Sequence, residues 1–485
     1  MKVLFIYSLD DVQSTLKPLR NWTSMQFGIS YISSVLKKKG HRTRLLVLGS
    51  NRFQKSKKLC NSFIEEFDPN LVCFTAAYSQ YFFTETIARS IKNQWPDKFL
   101  LIGGVHATLN PEEVIKGPFD ALCIGEGEYP TLELCSQIAK KESPRGIANL
   151  WIISHNGRVE KNDPRDFIGD IDTLPLPDRD IWKPWIREEL GSEQSVLLGR
   201  GCPYKCSYCC NHAISQATNG RYVRLRSPQS ILNEIAFLHS DCPNLKIFFE
   251  VETMALRKAW ALEICSQLEK YNSSIGNSIS YGCNFRISPN SMDEELFIAF
   301  KKANFDKLNI GLESGSERIR REVLKRNYSN KDFLKTVSLA CKHGLKVYVF
   351  NMIGLPGETF AEHMETVLLN RRIQPDGHFT GIFYPYPGTE IHDLCIKQGL
   401  LKSKVDSQME RKEAIIELPG FTKAQIQNAY TWFNYRVYKG HKPLWFLFIV
   451  VVADKIRSNA TAYFIFRNVV QWPILRQLRT YFISH

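Results

Sequence analysis

Apolar runs of strand length alternate with helix-period segments through the first 140 residues. Residues 3–7, 42–48, 71–75, 99–102 and 121–124 are short and mostly apolar, the pattern of strands covered on both faces. Helical patterns lie between them near 25–39, 56–67 and 82–94, with a short one near residue 112 and another near 129–139. Alternation at this interval predicts a doubly wound parallel sheet in an α/β fold. Ligands of such sheets bind at the carboxyl ends of the strands, and these ends are small and hydroxylated. Thr75-Ala76-Ala77-Tyr78-Ser79 follows the third strand and Gly103-Gly104-Val105-His106-Ala107-Thr108 the fourth. Paired glycines let a backbone come close to a ligand, although a tight turn is the plainer reading.

The pattern then changes. Residues 142–194 are mixed, with strand-like pieces at 150–154 and 158–160 and a connector, Asp172-Thr173-Leu174-Pro175-Leu176-Pro177-Asp178-Arg179, whose prolines favour an extended spacer. A second strand and helix series follows, with strands at 195–199, 247–250, 280–283, 307–310, 346–352 and 378–384. The expected domains are 1–140, a connector 141–194, 195–395, and a small, mostly helical region 396–485.

The chemistry sits on the loop after residue 199. Cys202, Cys206 and Cys209 are spaced x3 then x2, and three thiolates so placed can hold three corners of an iron–sulfur cube while one iron stays open. A zinc site completed by Cys210 and His212 is the alternative, and Cys210 is otherwise a packed bystander. Disulfides are disfavoured, because 13 cysteines over 485 residues suit a reducing cytosol.

With Tyr208 before the last cysteine, this loop resembles the signature of the radical S-adenosylmethionine (SAM) superfamily. The resemblance implies a 4Fe-4S cluster on Cys202, Cys206 and Cys209, with SAM chelated at the open iron and cleaved to a 5′-deoxyadenosyl radical. It implies that the second series is a partial (β/α)6 barrel, whose functional residues cluster at the carboxyl ends of strands. The expected SAM contacts there are Tyr208, Glu250, Asn284, Arg286, Glu313 and Gly354. Glu313 can accept the ribose hydroxyls or the ammonium, Arg286 can pair with the carboxylate, and a glycine such as Gly354 lets a backbone amide meet adenine. Singly, each is more often an ion pair or a strand-end cap.

Gly103 to Thr108, Pro111-Glu112-Glu113, Asp120, Gly125-Glu126-Gly127-Glu128 and Leu174-Pro175-Leu176-Pro177-Asp178-Arg179 resemble the cobalamin-binding radical SAM proteins. That resemblance spans about 1–395 and implies that the first domain binds cobalamin, with Thr75, Ser79, Gly103 and Gly104 lining the channel for its nucleotide tail. The loop Ser8-Leu9-Asp10-Asp11-Val12-Gln13-Ser14 lacks Asp-x-His-x-x-Gly, so the lower face of cobalt has no assigned ligand, His106 being a conceivable substitute. The implied reaction is methyl transfer to an unactivated carbon or a phosphinate phosphorus, with SAM as both radical source and methyl donor. A small-molecule or lipid-like substrate and an external electron donor such as flavodoxin or ferredoxin go with it. Ring closure of the Mg-protoporphyrin ester cyclase kind is the other outcome, and methylthiolation of RNA a further one.

Charge changes the picture in one place. The formal net charge is +14, which favours anionic partners. A non-catalytic cobalamin- or zinc-binding sensor on nucleic acid would use it, but such a sensor has no need of an open iron, and nucleic acid is not an expected partner. Residues 421–485 hold nine Lys or Arg against one Asp, around the apolar run Leu444-Trp445-Phe446-Leu447-Phe448-Ile449-Val450-Val451-Val452-Ala453. Ten residues are too few to cross a hydrocarbon core, which takes about 20. The segment either lies in a membrane interface or packs as a helix on the barrel. The apolar run after Met1-Lys2 is too short for a signal-peptide core, so the expected compartment is the cytoplasm, with peripheral contact to the inner membrane face.

Overall fold

The computed structural model describes residues 1–10, 12, 14, 17–154, 156–187, 193–242, 245–276, 278–401 and 410–457. It contains two compact units, one of residues 1–205, 209–251 and 275–280, the other of residues 206–208, 252–274 and 281–485.

The first unit is built on a seven-stranded sheet. Its strands are β1 (Lys2–Leu9), β2 (Arg42–Gly49), β3 (Leu71–Thr75), β4 (Phe99–Gly103), β5 (Ala121–Cys123), β6 (Leu150–Ile153) and β7 (Val159–Lys161), in the order β2-β1-β3-β4-β5-β6-β7. The first five pair in parallel, and β6 and β7 add antiparallel. The two pieces read as part of the connector therefore extend this sheet. The order of strand addition reverses at β1, which places the switch point of the doubly wound sheet at the carboxyl ends of β1 and β3. Val3, Leu4, Leu46, Leu71, Val72, Leu100 and Ile102 are fully buried, as strands covered on both faces require. Helices Phe27–Lys38, Phe53–Phe67, Tyr78–Gln94 and Glu128–Ala139 follow β1, β2, β3 and β5. Tyr78–Gln94 starts earlier than its apolar period suggests because the Gln80 side chain accepts the Ala77 N–H, a cap with no hydrophobic signature. Near residue 112 there are two short helices, Val105–Leu109 and Pro111–Val114, where one was expected, Pro111 opening the second.

The proline-rich connector is fastened to the unit. Ser33 donates to Asp178 Oδ2 at 2.6 Å and Lys37 pairs with the same oxygen at 2.7 Å. Arg179 donates to Glu234 Oε1 and to the Ser195 carbonyl, and the buried Trp182 donates to Ser30 Oγ. The unit also holds β8 (Glu193–Leu197) paired in parallel with β11 (Lys246–Glu250), and the short antiparallel pair β9 (Gly199–Arg200) and β10 (Arg224–Leu225).

The second unit carries β12 (Ser280–Phe285), β13 (Phe305–Glu313), β14 (Lys346–Ile353) and β15 (Gly377–Ile382), parallel and in that order. All six strands expected after residue 195 are thus present, and those within each unit pair in parallel. Helices Glu294–Lys302, Asn330–Lys342 and Phe360–Ile373 begin at Asp293, Ser329 and Thr359, whose side chains accept a first-turn N–H, a cap worth about 1 kcal/mol each. Helices Lys423–Thr431, Phe433–Tyr438 and Leu444–Arg457 contribute Ile426, Ala429, Phe433, Val437 and Leu447 to a core shared with Ile353, Leu355, Val367 and Ile382. The C-terminal region carries these helices as expected, and its residues 402–409 and 458–485 lie outside the described ones. No helix among the described residues is long and apolar enough to cross a membrane.

A buried ionic network accounts for Gly125-Glu126-Gly127-Glu128. Arg200, at the end of β9, donates to Glu126 at 2.8 Å and to Glu128 at 2.7 Å, while Arg224 of β10 donates to both oxygens of Glu126. Burial alone would raise the Glu126 pKa, but Arg200 and Arg224 hold it below the usual carboxylate value. A depressed folded pKa gives stability that is present above the ordinary carboxylate range and lost as pH falls through the folded value. Glu126→Gln is therefore expected to lower unfolding stability near neutral pH by about 3 kcal/mol, because it leaves guanidinium charge buried with one partner fewer. In urea titrations the gap between the two proteins should narrow in acid. A constant gap would rule out this charge pairing.

Candidate cluster and cofactor site

The cysteine loop leaves β9 through Gly201, whose φ of +84° lies in the left-handed region and whose Cβ would collide with the Tyr222 carbonyl. Only glycine fits there. Cys202 and Cys209 are half-buried in the first unit. Asn211 Nδ2 lies 3.7 Å from Cys209 Sγ and is steadied by Tyr222, which donates to Asn211 Oδ1 at 2.6 Å. Cys210 opens helix Cys210–Ala217. In the second unit Cys206 is buried and its sulfur accepts from Arg286 Nη1 at 2.9 Å. None of the 13 cysteines forms a disulfide. Among the described residues no three His, Cys, Asp or Glu side chains converge as a single metal ion would require. The donor set fits an iron–sulfur cluster, since such clusters take thiolate ligands and are tuned by hydrogen bonds to the sulfurs. Arg286, expected on the SAM carboxylate, is engaged with that sulfur.

Tyr208, half-buried, stands in a triad with the buried Glu313 and Arg326. Its hydroxyl donates to Glu313 Oε1 at 3.1 Å, and Arg326 Nη1 donates to the Tyr208 oxygen at 2.7 Å and to Glu313 Oε1 at 2.8 Å. Arg326 Nη2 and the Tyr328 hydroxyl both donate to the Gly311 carbonyl. Glu313 has φ +63°, and the β13–β14 register shifts between Gly311 and Glu313. A bulge re-aims a strand-end side chain, and a non-glycine residue in the left-handed region persists only when its surroundings hold it. Arg326 does the holding. Glu313, expected to receive SAM, thus has Oε1 already committed within the protein.

The other expected SAM residues lie at strand ends. Glu250 closes β11 and accepts from Ser195 Oγ at 3.0 Å, in the first unit. Asn284, near the end of β12, accepts from Asn309 and gives its carbonyl to the Met254 N–H. Gly354 has φ +80°, but its N–H donates to Glu358 Oε2 at 2.7 Å and its Cβ would meet Ile426, so this amide serves the protein rather than an incoming base. The Glu358 carboxyl takes a second N–H from Leu355, and its Oε1 is buried without a hydrogen-bond partner.

At the switch point of the first sheet, Thr75 and Ser79 are half-buried at the end of β3 and the start of the next helix. Gly103 and Gly104 differ. A Cβ at Gly103 would meet nothing closer than Cys123 at 3.7 Å, which is ordinary contact and leaves space at the strand end. Gly104 has φ +95° and its Cβ would stand 2.6 Å from Thr75 Oγ1 and 3.0 Å from the Ala76 backbone, so its missing side chain is explained by the protein's own packing. The space at Gly103 beside the Thr75 hydroxyl fits a ligand lying along the carboxyl edge, as cobalamin would. His106 is buried, with Nδ1 3.3 Å from Asn110 Nδ2 and Nε2 3.6 Å from Glu113, and its ring lies against Tyr78 and Tyr81. In the loop after β1, residues 11 and 13 lie outside the described ones.

Comparison with known proteins agrees with this layout. Residues 196–369 match the Radical SAM superfamily and residues 24–134 match the B12 binding domain. An uncharacterized methyltransferase of Pyrococcus horikoshii is 27% identical over 431 residues, covering 88% of this chain and 90% of that one. The anaerobic magnesium-protoporphyrin IX monomethyl ester cyclase of Cereibacter sphaeroides is 23% identical over 75% of this chain and 59% of its own length. The radical SAM methyltransferase TsrM of Kitasatospora setae, solved with cobalamin and a [4Fe-4S] cluster, shares the fold at TM-score 0.64 and 17% identity, over 83% of this chain and 79% of that one. This chain carries both a radical SAM domain and a B12 binding domain.

Spacing alone could not find Arg326 or Glu358 beside the expected residues. Arg326 follows an unremarkable lysine and meets Glu313 only because the π-helical turn Ile319–Val323 brings the chain back. Such turns are rare and collect at functional sites. Glu358 had only its place beside the Gly354 turn to suggest it. Burial pushes its carboxyl up to about 8, so the folded protein keeps a proton that the unfolded chain releases near the ordinary value of about 4.3. A raised folded pKa gives stability that is lost as pH rises through that interval, at roughly 1.4 kcal/mol per pH unit. Glu358→Gln, which cannot ionise, should remove this decline, as urea titrations at pH 6 and at pH 9 would show. Parallel pH profiles for the two proteins would place the proton elsewhere.

Proposed function

We propose that this protein is a methyltransferase acting on an unactivated carbon or a phosphinate phosphorus of a small-molecule or lipid-like substrate, with SAM as radical source and methyl donor. The observation that carries the reading is that one chain holds both a cysteine loop with a sulfur seated on a guanidinium and a doubly wound sheet with space at its switch point. In this reading residues 1–140 bind cobalamin, 141–194 connect, 195–395 form the radical barrel, and 396–485 form the C-terminal region. When bound, the cluster and SAM supply one-electron cleavage, and cobalamin supplies a methyl carrier.

The protein's own residues hold and orient. Cys202, Cys206 and Cys209 are the cluster ligands, with Cys210 spared as the first residue of a helix. Arg286 is a positioning residue that donates to Cys206 Sγ. Tyr208, Glu250, Asn284, Glu313 and Gly354 shape the SAM site, with Arg326 fixing Glu313. Thr75, Ser79, Gly103 and Gly104 edge the cobalamin site. A net charge of +14 suits docking of an acidic electron donor such as flavodoxin or ferredoxin. The likeness to the cyclase of Cereibacter sphaeroides favours one second reading, ring closure without methyl transfer.

Anaerobic reconstitution with iron, sulfide and cobalamin, followed by mass spectrometry of turnover with SAM, separates the two. Methyl transfer predicts both 5′-deoxyadenosine and S-adenosylhomocysteine, whereas 5′-deoxyadenosine alone would overturn it in favour of other radical chemistry. Alanine at Cys202, Cys206 or Cys209 should abolish iron binding, while Cys210→Ala should keep it, and the reverse pattern would sink the ligand assignment. Arg286→Met should lower the cluster's reduction potential by about 60 mV or more, the one-electron equivalent of roughly 1.4 kcal/mol for a lost charged hydrogen bond. An unchanged potential in an EPR-monitored titration would return Arg286 to the SAM carboxylate. At the sheet edge Gly103→Leu is the clean probe, because Gly104 cannot accept any side chain. Loss of bound cobalamin with an unchanged thermal midpoint is expected, and full retention would move the cofactor elsewhere.

A further inference from the structure

Helix Leu444–Arg457 turns two different faces outward and inward. Leu447 and Val451 are buried in the core of the second unit, at 1% and 6% exposure. Leu444, Trp445, Phe448, Ile449 and Val452 are exposed, at 52%, 62%, 49%, 36% and 57%. Their spacing of one, three, one and three residues puts all five on one side of the helix. Elsewhere among the described residues, exposed large apolar side chains are scattered singly, which is ordinary on a protein surface. Here they form a stripe about two turns long.

The exposed charges that residues 439–457 themselves bring to the stripe are basic. Lys439, His441 and Lys442 precede the helix, and Lys455 is exposed near its end. Lys442 Nζ stands 4.0 Å from the Tyr438 ring and 5.8 Å from Phe446, and Lys439 Nζ 5.6 Å from Tyr435, so both ammonium groups sit on aromatic faces beside the stripe. The only acid between residues 421 and 457 is Asp454, which is buried and takes a hydrogen bond from Asn434. From the neighbouring loop the exposed Asp376 acts on Lys442, while its Oδ2 accepts the Val347 N–H.

We propose that this face docks on an anionic lipid surface, with the helix lying in the interface, Trp445, Phe448 and Val452 at the acyl boundary and Lys439, Lys442 and Lys455 among the headgroups. The arrangement is that of interfacial helices, which combine an apolar face carrying Trp, Phe and Leu with flanking basic residues. Long lysine stems let the cation stay in water while the stem lies along apolar surface. A nucleic acid backbone would pair with the cations but offers nothing to Trp445 and Phe448. A second copy of the chain would cover the apolar stripe but bring a second set of the same positive charges against the first. The inference is independent of which group the enzyme transfers.

The test is flotation of the full chain with phosphatidylcholine vesicles, with and without phosphatidylglycerol, at low and high salt. Each cation near an anionic surface strengthens binding roughly fivefold, so flotation should require phosphatidylglycerol and weaken with salt. Trp445→Glu, Phe448→Glu and Val452→Glu combined should reduce binding by about tenfold or more with the thermal midpoint retained, since these side chains are exposed. Lys439→Glu with Lys442→Glu, a second and milder variant, should remove most of the phosphatidylglycerol dependence. Absence of flotation with either vesicle, or undiminished flotation of the triple variant, would overturn the proposal and leave the stripe to another part of the chain. A lipid-free dimer that the triple variant converts to monomer would overturn it in favour of self-association.

Discussion

A guanidinium taken out of water must be met by carboxylates, carbonyls or a sulfur, because its charge cannot be neutralised at any ordinary pH. Much of this protein is arranged around that requirement. Arg200 and Arg224 fix the Glu126–Glu128 loop to the start of the cysteine loop, Arg179 and Arg226 meet on Glu234, Arg326 holds Glu313 in a strained backbone, and Arg286 reaches Cys206. Arg200, Arg224, Arg179 and Arg286 join segments 55 or more residues apart, whereas Arg226–Glu234 and Arg326–Glu313 are 8 and 13 apart. Together they place strand ends that the sheet hydrogen bonds alone would leave free to shift.

The same requirement explains what the sequence conceals. Strand and helix periods are local, so β1 to β5 and the six strands after residue 195 are legible within three residues of their ends. Cys202, Cys206 and Cys209 are legible because three thiols share one short loop. The partner of a buried arginine is not written beside it. Nothing near Arg326 points to Glu313, and nothing near Arg286 points to Cys206, so the residue types at the site are readable while their pairing is not. Asp178 and Arg179 show the milder case, in which the prolines announce an extended connector but give no hint that it is bound along helix Phe27–Lys38 and to Glu234.

Glycine was legible in position and ambiguous in purpose. Gly103 and Gly104 are neighbours at one strand end, yet the first leaves space and the second is consumed by the approach of Thr75 and Ala76. Gly354 likewise gives its amide to Glu358. A glycine pair at a strand end is thus two separate pieces of evidence, and only the backbone angle and the nearest atoms tell which of them concerns a ligand.

The antiparallel strands β6 and β7 end the first sheet on a three-residue strand, Val159-Glu160-Lys161. Its Lys161 lies over the Trp151 ring of β6, 4.2 Å from the centroid, and pairs with Glu112. A long parallel edge would offer unpaired backbone groups to any other extended chain, and a short, charged final strand with an aromatic already covered withdraws that template. The sheet is thereby guarded on one side only, since its opposite edge is the eight-residue parallel strand β2.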